Sequence, residues 1–222
     1  MGERRLLTVA LGCVLVALSV LPALSTPTGL NNIPTADVVH KDILVLQAFS
    51  SFGGSGDAAW VAGFKVGPAE NWEVGLDGQV SGPGAGGGPT LQAKYRIPLQ
   101  KGARLALGAA NVSGDRGRHG SVFPYLVASA PLGERSNGHL GYSPQSGNHA
   151  LFLGADATVS TNLTLRSDWV QTNDGSESVW SLGFISPVTR QFLVEGWASF
   201  PSAAGAQTNY VLKVDYVVPL AR

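Results

Sequence analysis

Once the first 25 residues are set aside, the sequence is most informative in what it lacks. Its only cysteine, Cys13, lies within those residues, so the rest of the chain can form neither a disulfide framework nor a thiolate metal site. Charged residues make up only 14 % of the chain. No later stretch is long and apolar enough for a membrane-spanning helix, so this part of the chain can cross a membrane only as a barrel.

The few charges that remain are balanced. The 15 basic residues fall to 13 without Arg4 and Arg5, and the 15 acidic residues fall to 14 without Glu3. A near-neutral chain gives no indication of a nucleic-acid partner. Its length suits one all-β barrel or sandwich domain.

Residues 1–25 have the order of a targeting segment. Two arginines precede a long apolar run that ends at Leu21; Pro22 follows, and the small residues Ala23 and Ser25 stand at the third-last and last positions. This order predicts a secretory signal peptide that is cleaved. The alternatives are an uncleaved anchor helix and, because Ala-Leu-Gly precedes Cys13, a bacterial lipoprotein box.

Prolines mark a repeat of about 30 residues in the rest of the chain. Most of them close a stretch in which apolar and polar residues alternate. Proline cannot donate a hydrogen bond to a strand ladder, so we expect each one where strand pairing stops. The period predicts repeated hairpins. These prolines are Pro68, Pro98, Pro131, Pro187 and Pro219.

The alternation predicts about twelve strands. Short turns, often led by proline, alternate with Gly-rich loops, as an up-and-down meander requires. We therefore predict an all-β, up-and-down antiparallel transmembrane β-barrel over residues 42–222, with residues 26–41 as a lead-in segment without periodicity. The strands are expected near 42–52, 58–66, 72–80, 90–97, 103–112, 121–130, 136–143, 149–159, 163–172, 178–186, 191–199 and 208–218.

Alternation alone does not decide which face is inside. A barrel of twelve strands is wider than the eight-stranded kind that side chains fill, and the polar faces carry glycine and balanced charge, as a lumen does. Aromatic residues also lie near strand ends, where membrane interfaces place them. We therefore predict that the polar faces line the lumen. The charged lumen residues are Lys65, Glu73, Asp77, Lys94, Arg96, Arg104, Asp156, Arg166, Asp168, Glu195, Lys213 and Asp215.

The signal segment, the Gly-Leu-x-x-x-Pro-Thr-Ala opening from Gly29 to Ala36 and hairpins such as 73–78 and 210–216 resemble small, porin-like bacterial outer-membrane β-barrel proteins. The resemblance implies export to the bacterial outer membrane and passage of small solutes. One departure is the last strand. Such proteins usually end on an aromatic residue, whereas here the final aromatic residue is Tyr216.

Enzymatic chemistry has little support in the sequence. The four histidines, His40, His119, His139 and His149, lack metal-ligand spacing and are expected on solvated loops or rims. A lipid hydrolase built on His149 and a serine has no support, because no nucleophile stands out in the sequence. We expect no catalytic residue, no cofactor and no metal.

Three functions remain open. The first is an outer-membrane barrel that acts as a passive channel or transporter for small solutes. The second is a barrel whose paired lumen charges leave a non-conducting structural or surface-interaction protein. The third is a secreted, soluble β-protein that binds a ligand. The expected partners of the membrane barrel are outer-membrane lipid and small solutes, and the sequence carries no signal of oligomeric state.

Overall fold

The computed structural model describes residues 28–53, 58–82, 85–115, 121–144, 150–172 and 176–220. The predicted signal peptide lies outside them. Within these ranges, no helix has the length and apolar character needed to cross a membrane. The strands are β1 (Ile43–Gly53), β2 (Ala59–Val66), β3 (Trp72–Ser81), β4 (Pro89–Pro98), β5 (Arg104–Val112), β6 (Phe123–Gly133), β7 (Ser136–Ser143), β8 (Ala150–Ser160), β9 (Leu163–Thr172), β10 (Glu177–Pro187), β11 (Phe192–Pro201) and β12 (Asn209–Pro219), with a short 3₁₀ turn at Gln100–Gly102.

The twelve strands form one closed barrel. Each strand pairs antiparallel with its neighbours in the sequence, and β12 returns to pair with β1. That closing pair runs from Ile43 opposite Pro219 to Gly53 opposite Asn209. Closure leaves no free strand edge, so the backbone groups of the sheet are paired all round the ring. The predicted fold class is confirmed.

The prolines behave as expected at most positions. Pro98, Pro187 and Pro219 are the last residues of β4, β10 and β12. Pro131 is an exception, because β6 continues past it to Gly133 across an irregularity in its pairing with β7. A bulge is one of the few places where a sheet accepts a proline, since the ladder is already interrupted there.

The apolar faces of the strands point out of the barrel. On β12, the side chain of Leu212 is 46 % exposed and that of Asp215 only 4 %. Leucines on other strands are exposed in the same way, among them Leu107 and Leu182. A soluble barrel would show the reverse pattern, whereas a barrel in lipid needs its apolar faces outside. Strands of 8 to 11 residues also suit a tilted crossing of a bilayer.

Exposed aromatic side chains lie at both rims of the barrel. At the rim with the Gly-rich loops, Phe52 stacks on Tyr210 with ring centroids 5.9 Å apart. At the opposite rim, Trp72 lies against Tyr95 with centroids 4.9 Å apart. All four rings are exposed on the outer surface. Such rings at both edges of an apolar belt are typical of the two interfaces of a membrane.

Candidate functional site: the barrel lumen and its N-terminal segment

Residues 28–40 lie inside the barrel. The sequence predicted them only as part of a lead-in segment. Their hydrogen bonds and ion pairs reach side chains of β2, β3, β4, β5, β6, β9, β10 and β11. These strands run most of the way round the ring. A short segment can contact so many strands of a closed barrel only from within. We call residues 28–40 the N-terminal segment.

The first part of the N-terminal segment is a small hairpin. Gly29 pairs antiparallel with Pro34, and the Leu30 N–H donates to the Ile33 carbonyl oxygen at 2.9 Å. Asn31 and Asn32 form its tip, where a short polar side chain favours the turn. The hairpin therefore presents two asparagines to the wall in the middle of the barrel.

The tip is held by a carboxylate and two hydroxyl groups. The N–H groups of Asn31 and Asn32 both donate to Asp168 Oδ2, at 2.8 and 3.1 Å. Asn32 Nδ2 donates to Ser181 Oγ at 2.5 Å and to Ser199 Oγ at 2.9 Å. A buried carboxylate that accepts two backbone N–H groups makes stronger hydrogen bonds than a neutral acceptor would.

Two lysines hold the strands of the hairpin. Lys94 Nζ donates to the Thr28 carbonyl oxygen at 2.6 Å and to the Thr35 carbonyl oxygen at 3.2 Å. Lys65 Nζ donates to Thr28 Oγ1 at 2.8 Å. Because Lys94 is almost fully buried, these backbone oxygens replace part of the water that its ammonium group has lost.

Residues 37–39 of the segment are anchored by charged groups near the rim that carries the short, often proline-led turns. We call this rim the turn-side rim. Arg104 makes two hydrogen bonds to the Asp37 carboxylate, at 2.6 and 3.0 Å. The Val39 N–H donates to Glu73 Oε2 at 2.9 Å. Glu73 also lies 3.8 Å from Lys94, so its buried charge is paired. A two-point contact between arginine and carboxylate fixes the direction of the segment as well as its position.

Apolar contacts complete the seat of the segment. They include inward-facing residues of β6 and β8. These contacts explain why β6 carries apolar residues on both faces, because its inner face packs on the segment and its outer face on lipid. Removing these side chains from water stabilises the seated segment. The buried cluster consists of Leu30, Ile33, Ala36, Ala106, Tyr125, Val127 and Phe152.

Two glycines of the wall leave room for the hairpin. A Cβ atom at Gly154 would collide with Leu30 Cδ1, and a Cβ atom at Gly183 would collide with Asn31 Oδ1. The same Cβ atoms would also meet the Ser167 and Gly196 carbonyl oxygens of the neighbouring strands, so a larger residue would disturb both the seat of the hairpin and the wall. The abundance of glycine on the inner face therefore has a steric function here: it makes space for the chain's own N-terminal segment.

Ser129, His139 and Asp156 form a hydrogen-bonded chain inside the barrel. Ser129 Oγ lies 2.7 Å from His139 Nδ1, and His139 Nε2 lies 2.8 Å from Asp156 Oδ2. The order of groups is that of a hydrolase triad. However, Ser129 is only 2 % exposed, and its oxygen accepts the Ala36 N–H at 2.9 Å. The chain of groups thus anchors the N-terminal segment and leaves the serine covered.

The expectation that all four histidines lie on loops or rims is wrong for His139. Its ring is buried within β7, because the serine and carboxylate on neighbouring strands supply partners for both ring nitrogens. His40 is exposed near the turn-side rim, and His119 and His149 lie outside the described residues. No group of three or more potential metal ligands occurs in the part of the chain that the structure describes.

The twelve charged residues predicted for the lumen fall into two sets. Six contact the N-terminal segment: Lys65, Glu73, Lys94, Arg104, Arg166 and Asp168. The others have wall partners: Asp77 bonds to Gln47 and Gln92, Arg96 to Asn71 and Asp156 to His139, while Glu195, Lys213 and Asp215 cluster with Arg166. Lys213 Nζ lies 3.1 Å from Glu195 and 3.3 Å from Asp215.

A cavity of about 350 Å³ remains between the hairpin and the wall of β1–β6, β11 and β12. The hairpin from Thr28 to Pro34 forms one side of it. The wall contributes polar and charged residues of β1–β4, β11 and β12 together with the aromatic rings of Phe49, Phe123, Tyr125 and Trp197. The seated segment therefore fills much of the lumen and leaves a small mixed pocket.

The signal that could have indicated the position of the segment lies in the wall. Strands β1, β6 and β11 carry apolar side chains on both faces, and Val45, Val127 and Leu193 point inward and are buried. An apolar inner face in a wide barrel needs an apolar partner inside. The lead-in segment supplies it: Leu30 and Ile33 share a cluster with Val127, and Val39 shares one with Val45 and Leu193.

No protein-family profile matches the sequence, and no curated protein sequence is similar enough to match it. The comparison with solved structures does find matches. The chain resembles a KdgM porin in complex with disordered oligogalacturonate at a TM-score of 0.65 and 14 % identity, over 78 % of this chain and 98 % of that one.

Two further structures share the architecture. The NanC porin has a TM-score of 0.55 at 12 % identity, over 77 % of this chain and 98 % of that one. An outer membrane channel from Pseudomonas putida F1 has a TM-score of 0.55 at 12 % identity, over 87 % of this chain and all of that one. At such low identity the likeness shows the fold alone, a closed antiparallel β-barrel.

Proposed function

We propose that this protein is an outer-membrane channel for small solutes that its own N-terminal segment closes from within. The observation that carries the proposal is the position of residues 28–40 inside a closed barrel whose outer face is apolar. Charged groups and glycines line the interior, and a cavity remains there, as in a water-filled lumen. The fold shared with porins supports the same conclusion.

The contacts of the segment suit a closure that can be released. Most are hydrogen bonds with single side chains of the wall, such as Asp168, which accepts, and Lys94, which donates, and water can replace them when the segment moves. The segment is continuous with β1 at only one end. Its withdrawal toward the turn-side rim would need no change in the strand pairing of the barrel.

A lumen closed permanently by paired charges is the second candidate. The cluster of Arg166, Glu195, Lys213 and Asp215 favours it, because these groups neutralise one another within the wall. That cluster lies on one side of the barrel, however, whereas the hairpin occupies the centre. We therefore assign the closure to the segment, and conductance measurements on variants of the segment separate the two candidates.

The direct test is deletion of residues 28–39 with the export segment left intact. The variant should form stable pores of higher conductance than the wild type in planar lipid bilayers, because the obstruction is gone. Migration of unheated samples in detergent gels checks that the barrel has folded. A folded deletion variant that conducts no better than the wild type would favour the structural candidate.

A reversible lock supplies the matched experiment. Asn32→Cys and Ser181→Cys place two thiols on side chains that now form a 2.5 Å hydrogen bond, in a chain without other cysteine after residue 25. Oxidation should abolish channel openings, and reduction should restore them. Each single variant serves as a control, since neither can form the bond. Mass spectrometry shows whether the disulfide has formed, and full conductance in the cross-linked variant would show that the path avoids the hairpin.

A further inference from the structure

The chain of Ser129, His139 and Asp156 holds its histidine in the tautomer of a general base. Asn137 Nδ2 donates to Asp156 Oδ1 at 3.1 Å, so both oxygens of this carboxylate are fixed. An ionised carboxylate only accepts hydrogen bonds, so Nε2 of the neutral His139 ring carries the hydrogen. Its Nδ1 is then the acceptor that faces Ser129 Oγ at 2.7 Å. In this state the ring can take the proton of the serine.

A cation lies next to the serine. Arg104 is directly opposite Ser129 in the pairing of β5 with β6, and both side chains contact the N-terminal segment, so they share the inner face. The Cβ atoms of such a pair are about 4.5–5.5 Å apart. The Gly102 carbonyl oxygen accepts a hydrogen bond from Arg104 Nη1 at 3.1 Å, which fixes the guanidinium group. A fixed cation beside a nucleophile stabilises the oxyanion that forms when a carbonyl carbon is attacked.

The seated segment covers both polar groups. The Ala36 N–H donates to Ser129 Oγ at 2.9 Å, and the carboxylate of the next residue, Asp37, accepts hydrogen bonds from Arg104 Nε and Nη2. The oxygens of Asp37 thus occupy the donors that an oxyanion would need. Two successive residues of the segment therefore block the nucleophile and its cation together, as an inhibitor would.

The space next to the serine is apolar. Val127 precedes Ser129 by two residues on the same face of β6, and in the closed state it shares a buried cluster with apolar side chains of the segment. Ala106 and Phe152 of the wall belong to the same cluster. When the segment leaves, these three wall residues bound a space that suits an aliphatic chain. The uncovered site would therefore combine a serine, a base, a cation and an apolar wall.

We propose that the barrel hydrolyses small aliphatic carboxylic esters and that its N-terminal segment inhibits this activity. Ser129 Oγ attacks the carbonyl carbon and its proton passes to His139 Nδ1, while Arg104 donates to the oxyanion. The bond to the alcohol breaks, and the alcohol takes the proton from His139. Water then attacks the acyl group by the same steps, releases the acid and restores the serine. The inference rests on the proposed function, because the segment must withdraw to uncover Ser129.

The first test asks whether Ser129 becomes reactive when the segment leaves. The full chain with Asn32→Cys and Ser181→Cys, in a nonionic detergent, is treated with diisopropyl fluorophosphate in its oxidised and reduced forms. Attack by the serine oxygen forms a P–O bond and expels fluoride, and peptide mass spectrometry locates the label. The reduced form should be labelled at Ser129 at least tenfold faster than the oxidised form. Equal labelling of the two forms would overturn the proposal.

A second serine of the lumen is the internal control. Ser199 also contacts the segment, through Asn32, but its other partner is the hydroxyl group of Ser181 rather than a histidine. It should stay unlabelled in both forms, and Ser129→Ala should remove the label altogether. Labelling of Ser199 at the rate of Ser129 would show that exposure alone makes a lumen serine react, and would refute the role of the histidine.

Variants of the other two groups separate catalysis from anchoring. His139→Gln in the reduced double variant should slow labelling by about 100-fold or more, the size expected of a general base. Asp156→Asn should slow it as well, because His139 loses the partner that fixes its tautomer. A purely structural role predicts the opposite, since both changes loosen the cover over Ser129 and labelling would not slow. If neither variant folds, the comparison of oxidised and reduced forms still decides.

Turnover of an ester gives an independent readout. The reduced double variant should release nitrophenolate from 4-nitrophenyl butyrate, and oxidation should stop the release. Labelling of Ser129 without turnover would refute the hydrolase. Conductance that rises on reduction without labelling or turnover would retain the channel and refute the hydrolase. Labelling and turnover that rise on reduction without conductance would retain the hydrolase and refute the channel.

Discussion

The contact between Asp168 and the hairpin tip gives the sharpest quantitative test of the closure. One carboxylate oxygen accepts two backbone N–H groups, from Asn31 and Asn32, at 2.8 and 3.1 Å. Asp168→Ala removes both hydrogen bonds and touches no residue of the outer face. The open state lacks these bonds in either protein, so the substitution should destabilise the closed state selectively.

The size of the effect follows from the kind of bond. A hydrogen bond to a charged group contributes about 1.5–3 kcal/mol to stability. Two such bonds, taken at the lower end of that range because water can enter the lumen, give about 3 kcal/mol. Since about 1.4 kcal/mol changes an equilibrium tenfold, the ratio of open to closed channels should rise roughly 100-fold.

The assay is open probability in single-channel recordings, with the wild type and Asp168→Asn measured alongside. Asparagine keeps an acceptor oxygen at nearly the same place but removes the charge, so its effect should lie between those of the wild type and the alanine variant. A graded series supports the closure by hydrogen bonding. An alanine variant that folds and shows the open probability of the wild type would refute the reasoning.

Three further predictions concern the wall and its orientation. Leu212→Arg, on the outer face, should destabilise the protein in lipid by about 2–4 kcal/mol in urea titrations, whereas Lys213→Gln should cost less because a neighbouring arginine still neutralises the nearby glutamate. Ala85→Cys in a Gly-rich loop should react with an impermeant thiol reagent on intact cells, and Thr189→Cys in a proline-led turn should not; the reverse result would invert the topology. Gly154→Val should raise basal conductance in the folded protein, because its side chain meets Leu30 and Ile33 of the hairpin as well as the Ser167 carbonyl oxygen of β9; a folded variant of unchanged conductance would argue against the contact with the hairpin.

Much of the fold follows from local patterns in the sequence. Alternation of side chains along each strand, with prolines and glycines between, predicted all twelve strands, and each predicted end lies within three residues of the observed one. The same alternation predicted that Leu212 and Asp215 lie on opposite faces of β12. The balanced charge of the polar faces indicated that these faces are inside. These properties are local, because neighbouring residues on a strand point to opposite sides whatever the rest of the chain does.

The interior was decided by the tertiary structure alone. Residues 28–40 have no periodicity, and their position depends on contacts as remote in sequence as Asn32 with Ser199, 167 residues apart. Likewise, His139 is buried because Ser129 and Asp156 meet it from neighbouring strands. Local patterns set the direction of a side chain, but the partner that it meets across a closed lumen depends on the register and closure of the whole barrel.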